Sequence, residues 1–352
     1  MADIKPFDSE NKTSIFAAVK NGETRYPVPY FKWINHKAAK ISPKHTLDVV
    51  KNLVTTEEQI ALPIDDNNIR SPWITGDKKT VLKLKRLVGG SQYRARKGVD
   101  TSLNAIFWVK VLETRGNLSL VQNCQTSSRS PVGQRTLWVE SDTLYPVLRG
   151  KDSGRWNFNV KLYQILLYNK NTGKPLLDME ATSYPNAFKY FQIPEYKKLL
   201  SRRGIYTKLL VGSPIYACYD IGAYSFAKHK VVWKALASGM QAVVIESYKG
   251  KVIIPDHNVM MITTSDSNEA HYLCAILNSE LVTQFVTSYI EWFYSTHILQ
   301  YLKIPKWDAN SKQHQDLAEL SQEAHSLKDL AQTDTLQKNI DSIAETVMFH
   351  TH

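Results

Sequence analysis

With 352 residues the chain is long enough to bury a large core, in two domains or one large one. Its 43% hydrophobic and 22% charged residues are ordinary for a globular protein, but the formal net charge is +11. Three distant cysteines without Cys-x-x-Cys spacing exclude a disulfide framework and a zinc ribbon. No run approaches the roughly 18 apolar residues of a membrane helix, and the polar start MADIKPFDSENKTS has no apolar signal core.

The expectation is a soluble, cytoplasmic, reduced protein without a membrane partner. A pI near 9.3 favours a polyanion, nucleic acid above all, as its partner.

In chain order, TSIFAAVK and TRYPVPYFKWI read as two strands joined at an Asn21-Gly22 turn. Pro27 and Pro29 restrict the second to an edge or an irregular strand. Residues 45–62 and 76–88 carry helical periodicity. In the second of these, Val81, Leu84 and Leu87 share one face, and Gly89-Gly90 supplies a stop. SPWI between them predicts a turn that buries Trp73.

Beyond residue 91, strand-like runs occur at AIFWVKVLE, LSLVQN, LWVE, LYQILLYN, AVVIE, KVIIP and VMMITT. Helical runs occur at AFKYFQIPEYKKLLSRR, broken by Pro194, and at EAHYLCAILNSELVTQFVTSYI. Several connections are too short for a crossover helix. The expected class is therefore α+β, with a mixed, mainly antiparallel sheet. From Ser311 on, Leu317, Leu320, Ala324 and Leu327, then Leu336, Ile340, Ile343 and Val347, recur at helical spacing. These predict amphipathic helices that dock on a partner or on the domain itself. The expected divisions are 1–90, 91–310 and a helical tail, 311–352.

Catalytic signatures are missing. The chain has no Gly-x-Gly-x-x-Gly or Walker loop, no Gly-x-Ser-x-Gly elbow and no His-Glu-x-x-His helix. It also has no Asn-Pro-Pro-Tyr or Asp-Pro-Pro-Tyr tetrapeptide. Pro255-Asp256 has no Glu-x-Lys at strand spacing, so a turn is the plainer reading than a nuclease site.

Basic clusters with adjacent aromatics are abundant. Arg94, Arg96 and Lys97 follow Tyr93. Arg149, Lys151 and Arg155 lie in DTLYPVLRGKDSGRW, with Tyr145, Leu148 and Trp156 as packing anchors. Lys228, His229, Lys230 and Lys234 surround Trp233, and Arg202 and Arg203 form a pair. Arg and Lys hold phosphates, and Arg reads guanine bidentately. The candidate DNA-binding residues are accordingly Arg94, Arg96, Lys97, Arg149, Lys151, Arg155, Lys228 and Lys230. Each cluster also has a plain reading. In YSFAKHKVVWK, alternation puts Phe226, Lys228 and Lys230 on one strand face that is simply solvated. Leu277-Asn278-Ser279 reads as helix packing and capping.

YPVLRGKDSGRW, SYPNAFKYF, LLSRR, YSFAKHKVVW and HYLCAILNSELV, in this order over about residues 95–325, resemble a known family. It is the specificity region of TaqI-like adenine-specific DNA methyltransferases of restriction-modification systems. KPFDSENKTSIFAAVKNGETRYPVPYFKW is similar to the closing strands of the methyltransferase fold. SPWI and YRARKGVDTSLNAIFW resemble the passage into the recognition domain, with Ser102-Leu103 where the family pattern has Thr-Gly.

The resemblance implies double-stranded DNA as partner and target recognition as function. S-adenosylmethionine is then expected in a catalytic domain or partner subunit and no cofactor in this chain, whose cofactor and Asn-Pro-Pro-Tyr motifs would lie upstream of Lys5. A shortened enzyme or a separate recognition subunit that does not methylate alone is expected, with a role in phage defence. Other readings are a protein-interaction scaffold of a DNA-modification complex and a nuclease with an unrecognised site.

Overall fold

A computed structural model describes residues 17–35, 41–42, 44–125, 132–290, 293–327 and 330–350. The chain divides into two compact units, residues 1–88 and 89–352.

The first unit holds a three-stranded antiparallel sheet in the order Val28–Ile34, Thr55–Pro63, Trp73–Gly76. The hairpin expected before it is partly outside the described residues, since 13–16 are not described. Gly22 N–H does donate to Val19 O at 3.1 Å, with Asn21 at φ 61°, but residues 17–19 are not strand. Val28–Ile34 pairs instead with Thr55–Pro63, part of the stretch expected to be helical. Only Leu47–Leu53 is helix there. The β-branched Thr55-Thr56 pair suits a strand, and pairing with residues 28–34 overrides the helical spacing.

Trp73 corrects a second expectation. Successive strand residues face opposite ways, and Ile74 takes the core at 0% exposure while Trp73 is 38% exposed, edge-on to Tyr26. The helix Lys78–Lys85 matches its periodicity: Val81 and Leu84 are buried, and Asp77 caps it by accepting from Thr80 N–H at 3.0 Å. It closes at Arg86, before the glycine pair. Lys85 Nζ then donates to the Pro63 and Ile64 carbonyls at 2.8 and 3.0 Å, tying the helix to the sheet.

The second unit is α+β with mainly antiparallel sheets. A six-stranded sheet runs Ile254–Pro255, Leu144–Leu148, Leu162–Ile165, Trp108–Arg115, Leu118–Asn123, Thr136–Glu140. All pairs are antiparallel except the first. A four-stranded antiparallel sheet runs Ala242–Ile245, His229–Lys234, Val259–Thr264, Arg96–Lys97.

Residues 254–264 belong to both sheets in succession, so the segment between them, Asp256 to Asn258, stands at the crossing. Gly98 packs there against the backbone: a Cβ would lie 2.1 Å from the Asp256 carbonyl oxygen, which no side chain tolerates.

Helices cover the sheets where their apolar faces require it. Pro185–Phe191 docks on the strand Thr136–Glu140 through Glu140, whose carboxylate accepts from Asn186 and Ala187 N–H at 2.9 Å each. This satisfies donors that a helix start leaves unpaired. Ser267–Asn278 covers the four-stranded sheet. Ser279 Oγ accepts from Val282 N–H at the start of Glu280–Thr287, dividing what the sequence presents as one helical run.

Asn278 is fully buried, its amide accepting from Ala242 N–H at 2.8 Å and donating to Ala242 O at 2.9 Å. Each such buried group would cost about 1–3 kcal/mol unpaired, so the packing and capping role expected of 277–279 follows from its geometry. The tail forms Lys312–Ser326, which packs on Ser267–Asn278, and Leu330–His350. Leu317, Ala324, Ile340 and Val347 are buried within this unit.

The strand His229–Lys234 departs from its expected half-solvated form. It is central, flanked by Ala242–Ile245 and Val259–Thr264, and Lys230 to Trp233 are all buried. No helix among the described residues is long and apolar enough to cross a membrane.

Candidate nucleic-acid interface

The stretch DTLYPVLRGKDSGRW is half strand and half loop. Leu144–Leu148 is buried throughout, a contiguous apolar run that reads as a core strand once Pro146 is accommodated. The chain then turns at Gly150–Asp152. Asp152 anchors this turn: its carboxylate, 3% exposed, pairs with Arg149 and lies 3.7 Å from Lys161 Nζ. Its carbonyl accepts from Asn159 N–H at 2.9 Å, folding the loop back on itself. Trp156 closes the far end, buried at φ 64°, its backbone N–H donating to Ala242 O at 3.1 Å and its ring edge-on to His325.

This loop forms one wall of an open cleft of about 1060 Å³ in the second unit. Lys110, from the strand Trp108–Arg115, and Lys234, from the end of His229–Lys234, join Arg149, Lys151 and Lys161 along it. Five cations thus converge from four separated places in the chain, while Asp256 is the only carboxylate among the described lining residues. Asp256 is 2% exposed, and burial pushes its carboxyl above the usual range against the opposing pull of His257, Asn258 and the Gly150 amide. Five cations against this single carboxylate leave the lining of the cleft net positive. Trp108 lines the cleft as well, with the Arg149 guanidinium 5.9 Å from its ring centre.

Of the residues expected from sequence, Arg149 and Lys151 line the cleft. Lys151 is exposed and has no ion pair among the described residues. Arg149 is mostly buried and committed to Asp152. Arg155 turns away, donating to Met240 O and Gln337 Oε1 at 3.3 Å each. Arg94 is exposed outside the cleft. Arg96 lies 5.1 Å over the Tyr224 ring, and Lys97 is shared between Asp100 and Asp220 at 3.5 and 3.4 Å. Lys228 is exposed, but Lys230 is fully buried, donating to the Ala227 and Ile253 carbonyls. Burial lowers its ammonium to about 7. A lysine so enclosed has no surface to offer a phosphate.

Lys110 and Lys161 were not among the expected residues. Each stands alone in its segment, so clustering along the chain misses it. The one available signal is alternation, which turns Lys110 away from buried Val109.

No family model matches the sequence. A fold of mainly antiparallel sheets with a basic cleft is joined by a partial homology to methyltransferases of restriction-modification type. The chain is 25% identical over 154 residues to the type II methyltransferase M.NspV of Nostoc sp. (strain ATCC 29411 / PCC 7524), a match over 44% of this chain and 31% of the relative. It therefore spans about a third of that relative's length.

Among solved structures, it superposes on the type IIL restriction-modification enzyme MmeI, determined in complex with DNA. That match has a TM-score of 0.46 and 8% identity, and covers 76% of this chain and 35% of the other. The type IIG restriction endonuclease BpuSI gives a TM-score of 0.32 with 15% identity, over 59% and 26% of the two chains.

Proposed function

We propose that the chain is the DNA-binding, target-recognition part of an adenine-specific DNA methyltransferase or restriction-modification enzyme. It selects the sequence that an S-adenosylmethionine-dependent catalytic domain, on another part or another subunit, methylates. The observation that carries this reading is the cleft in which Lys110, Arg149, Lys151, Lys161 and Lys234 converge around one buried carboxylate. Partial homology to a type II methyltransferase supplies the class of enzyme.

Cations of this kind hold phosphates and fix register, leaving base edges to neighbouring groups. Asp152 serves the cleft indirectly: by pairing with Arg149 and lying near Lys161 it orients their charges without solvent reorganisation. In this reading the chain leaves S-adenosylmethionine to that catalytic domain. It has no glycine-rich phosphate or cofactor loop and no Asn-Pro-Pro-Tyr tetrapeptide, and the sheet of the first unit is antiparallel rather than a parallel nucleotide-binding one. No methyl-transfer step is assigned to these residues.

Fluorescence anisotropy of a labelled duplex against salt tests the reading. Five phosphate contacts give a log–log slope of about −4.5, at about 0.9 per contact. A slope near zero, or no binding at low salt, would overturn it.

A further inference from the structure

The residues between Leu200 and Ile215 form a prominence with a built base. Arg203 clips its two stems together: Nε donates to Leu200 O at 3.1 Å, and the two terminal nitrogens donate to Ala217 O and Ile215 O at 2.7 and 3.0 Å. Its crest is apolar and open, with Ile205 66%, Leu209 51% and Val211 81% exposed. Gly204 and Gly212, at φ 60° and 79°, flank the crest, and nothing lies within 4 Å of where their Cβ atoms would be.

Exposed aliphatic side chains at this density ask for an occupant. The surrounding charge says which. From Tyr196 to Tyr219 the sequence has Lys197, Lys198, Arg202, Arg203 and Lys208 and no Asp or Glu. All but Arg203 are exposed. The nearest carboxylates, Glu195, Asp100 and Asp220, are taken up by Arg135, Tyr206 and Lys97, so an apolar crest whose exposed charges are cationic suits a polyanion with an apolar interior, which is stacked duplex DNA.

The prominence is also tied to the cleft wall. Tyr206, between Ile205 and Lys208, donates to Asp100 Oδ2 at 2.7 Å, and Asp100 Oδ1 accepts from Ser102 N–H at 2.9 Å. Ser102 lines the basic cleft. Burial pushes the Asp100 carboxyl up, but Tyr206, His257, Ser102 and Lys97 together hold it below its usual value, so the link is ionised and stays made. Backbone bonds between Asp100 and Tyr219, 2.9 Å in each direction, fix it further, with Tyr219 packed edge-on against Tyr206.

We propose that Ile205, Leu209 and Val211 form a wedge that enters between base pairs of the duplex held along the cleft, unstacking and kinking it. Apolar side chains inserted at a base step act in this way in architectural DNA-binding proteins. The inference rests on the DNA-binding reading above and adds a deformation of the DNA to it.

Insertion untwists DNA, so the test uses closed-circular plasmid relaxed by a topoisomerase with the full chain present, followed by removal of protein. Wild-type chain is expected to leave underwound topoisomers in proportion to occupancy. The variant Ile205→Ser/Leu209→Ser/Val211→Ser changes only exposed side chains. It is expected to bind the same plasmid with an unchanged salt slope but to leave the topoisomer distribution of protein-free DNA. An unwinding by this variant equal to that of wild type would overturn the wedge and leave the crest for a protein partner, with the cleft reading intact. Absence of wild-type binding at low salt would instead remove the DNA-binding reading, and the wedge with it.

Discussion

Replacing Lys110, Lys151 and Lys234 together with glutamine weakens duplex binding roughly 500-fold at 0.1 M salt and flattens the log–log salt slope by about 2.7, from about 0.9 for each of three lost phosphate contacts. These three lysines line the cleft from three different segments, and none is in an ion pair among the described residues. Their neutralisation removes phosphate contacts without freeing a buried carboxylate. The choice matters, because Arg149 looks equivalent in sequence and is not: removing it would leave Asp152, 3% exposed, without its closest partner. Loss of binding in an Arg149 variant would therefore mix destabilisation with lost contact. Anisotropy titrations of wild type and triple variant, with thermal unfolding as the control for folding, check the expectation. An affinity within a few-fold of wild type would move the interface elsewhere.

Lys230 provides the second large effect. It is fully buried, bonded only to carbonyl oxygens, and burial lowers its ammonium to about 7. The unfolded chain keeps the ordinary lysine value of 10.5. Between these two values the unfolded state holds a proton that the folded state has released, so stability rises with pH across the window. Below pH 7 both states are charged, and the full cost of burying the ammonium remains.

At about 1.4 kcal/mol per pH unit, the free energy of unfolding rises by about 2 kcal/mol from pH 7 to 8.5. Urea unfolding at the two pH values reads this directly. Lys230→Met has no proton to release and loses that part of the slope. Lys251, which burial also lowers, contributes in the same direction in both proteins, so the difference between them isolates Lys230. The half-buried histidines His271 and His325, lowered by desolvation, act only below the ordinary histidine range. Equal slopes in wild type and variant would show that Lys230 is hydrated in solution.

Much of the second unit was legible in its residues. The strands at 108–115, 118–123, 136–140, 162–165, 242–245 and 259–264 coincide with β-branched and aromatic runs, and Pro194 begins a new helix where the sequence breaks. The first unit was less legible. Residues 45–62 have helical spacing along their whole length, and only the pairing of Thr55–Pro63 with Val28–Ile34, about thirty residues away, turns the second half into a strand.

The cleft was visible in part for a similar reason. Arg149 and Lys151 lie in a conspicuous charged loop, whereas Lys110 is an isolated cation that only the sheet order brings beside it, and Lys161 one that the loop's fold back onto Asp152 brings there. Lys230 shows the opposite failure: a cation in a basic cluster, placed by the central position of its strand in the dry core.

Lysine protection tests the placement of DNA in the cleft most directly. Acetylation rates of individual lysines, read by mass spectrometry with and without saturating duplex, should fall strongly at Lys110, Lys151, Lys161 and Lys234. Exposed Lys312 and Lys338 on the C-terminal helices should react at unchanged rates. Unprotected lysines in the cleft, at a duplex concentration where anisotropy reports full binding, would contradict the interface.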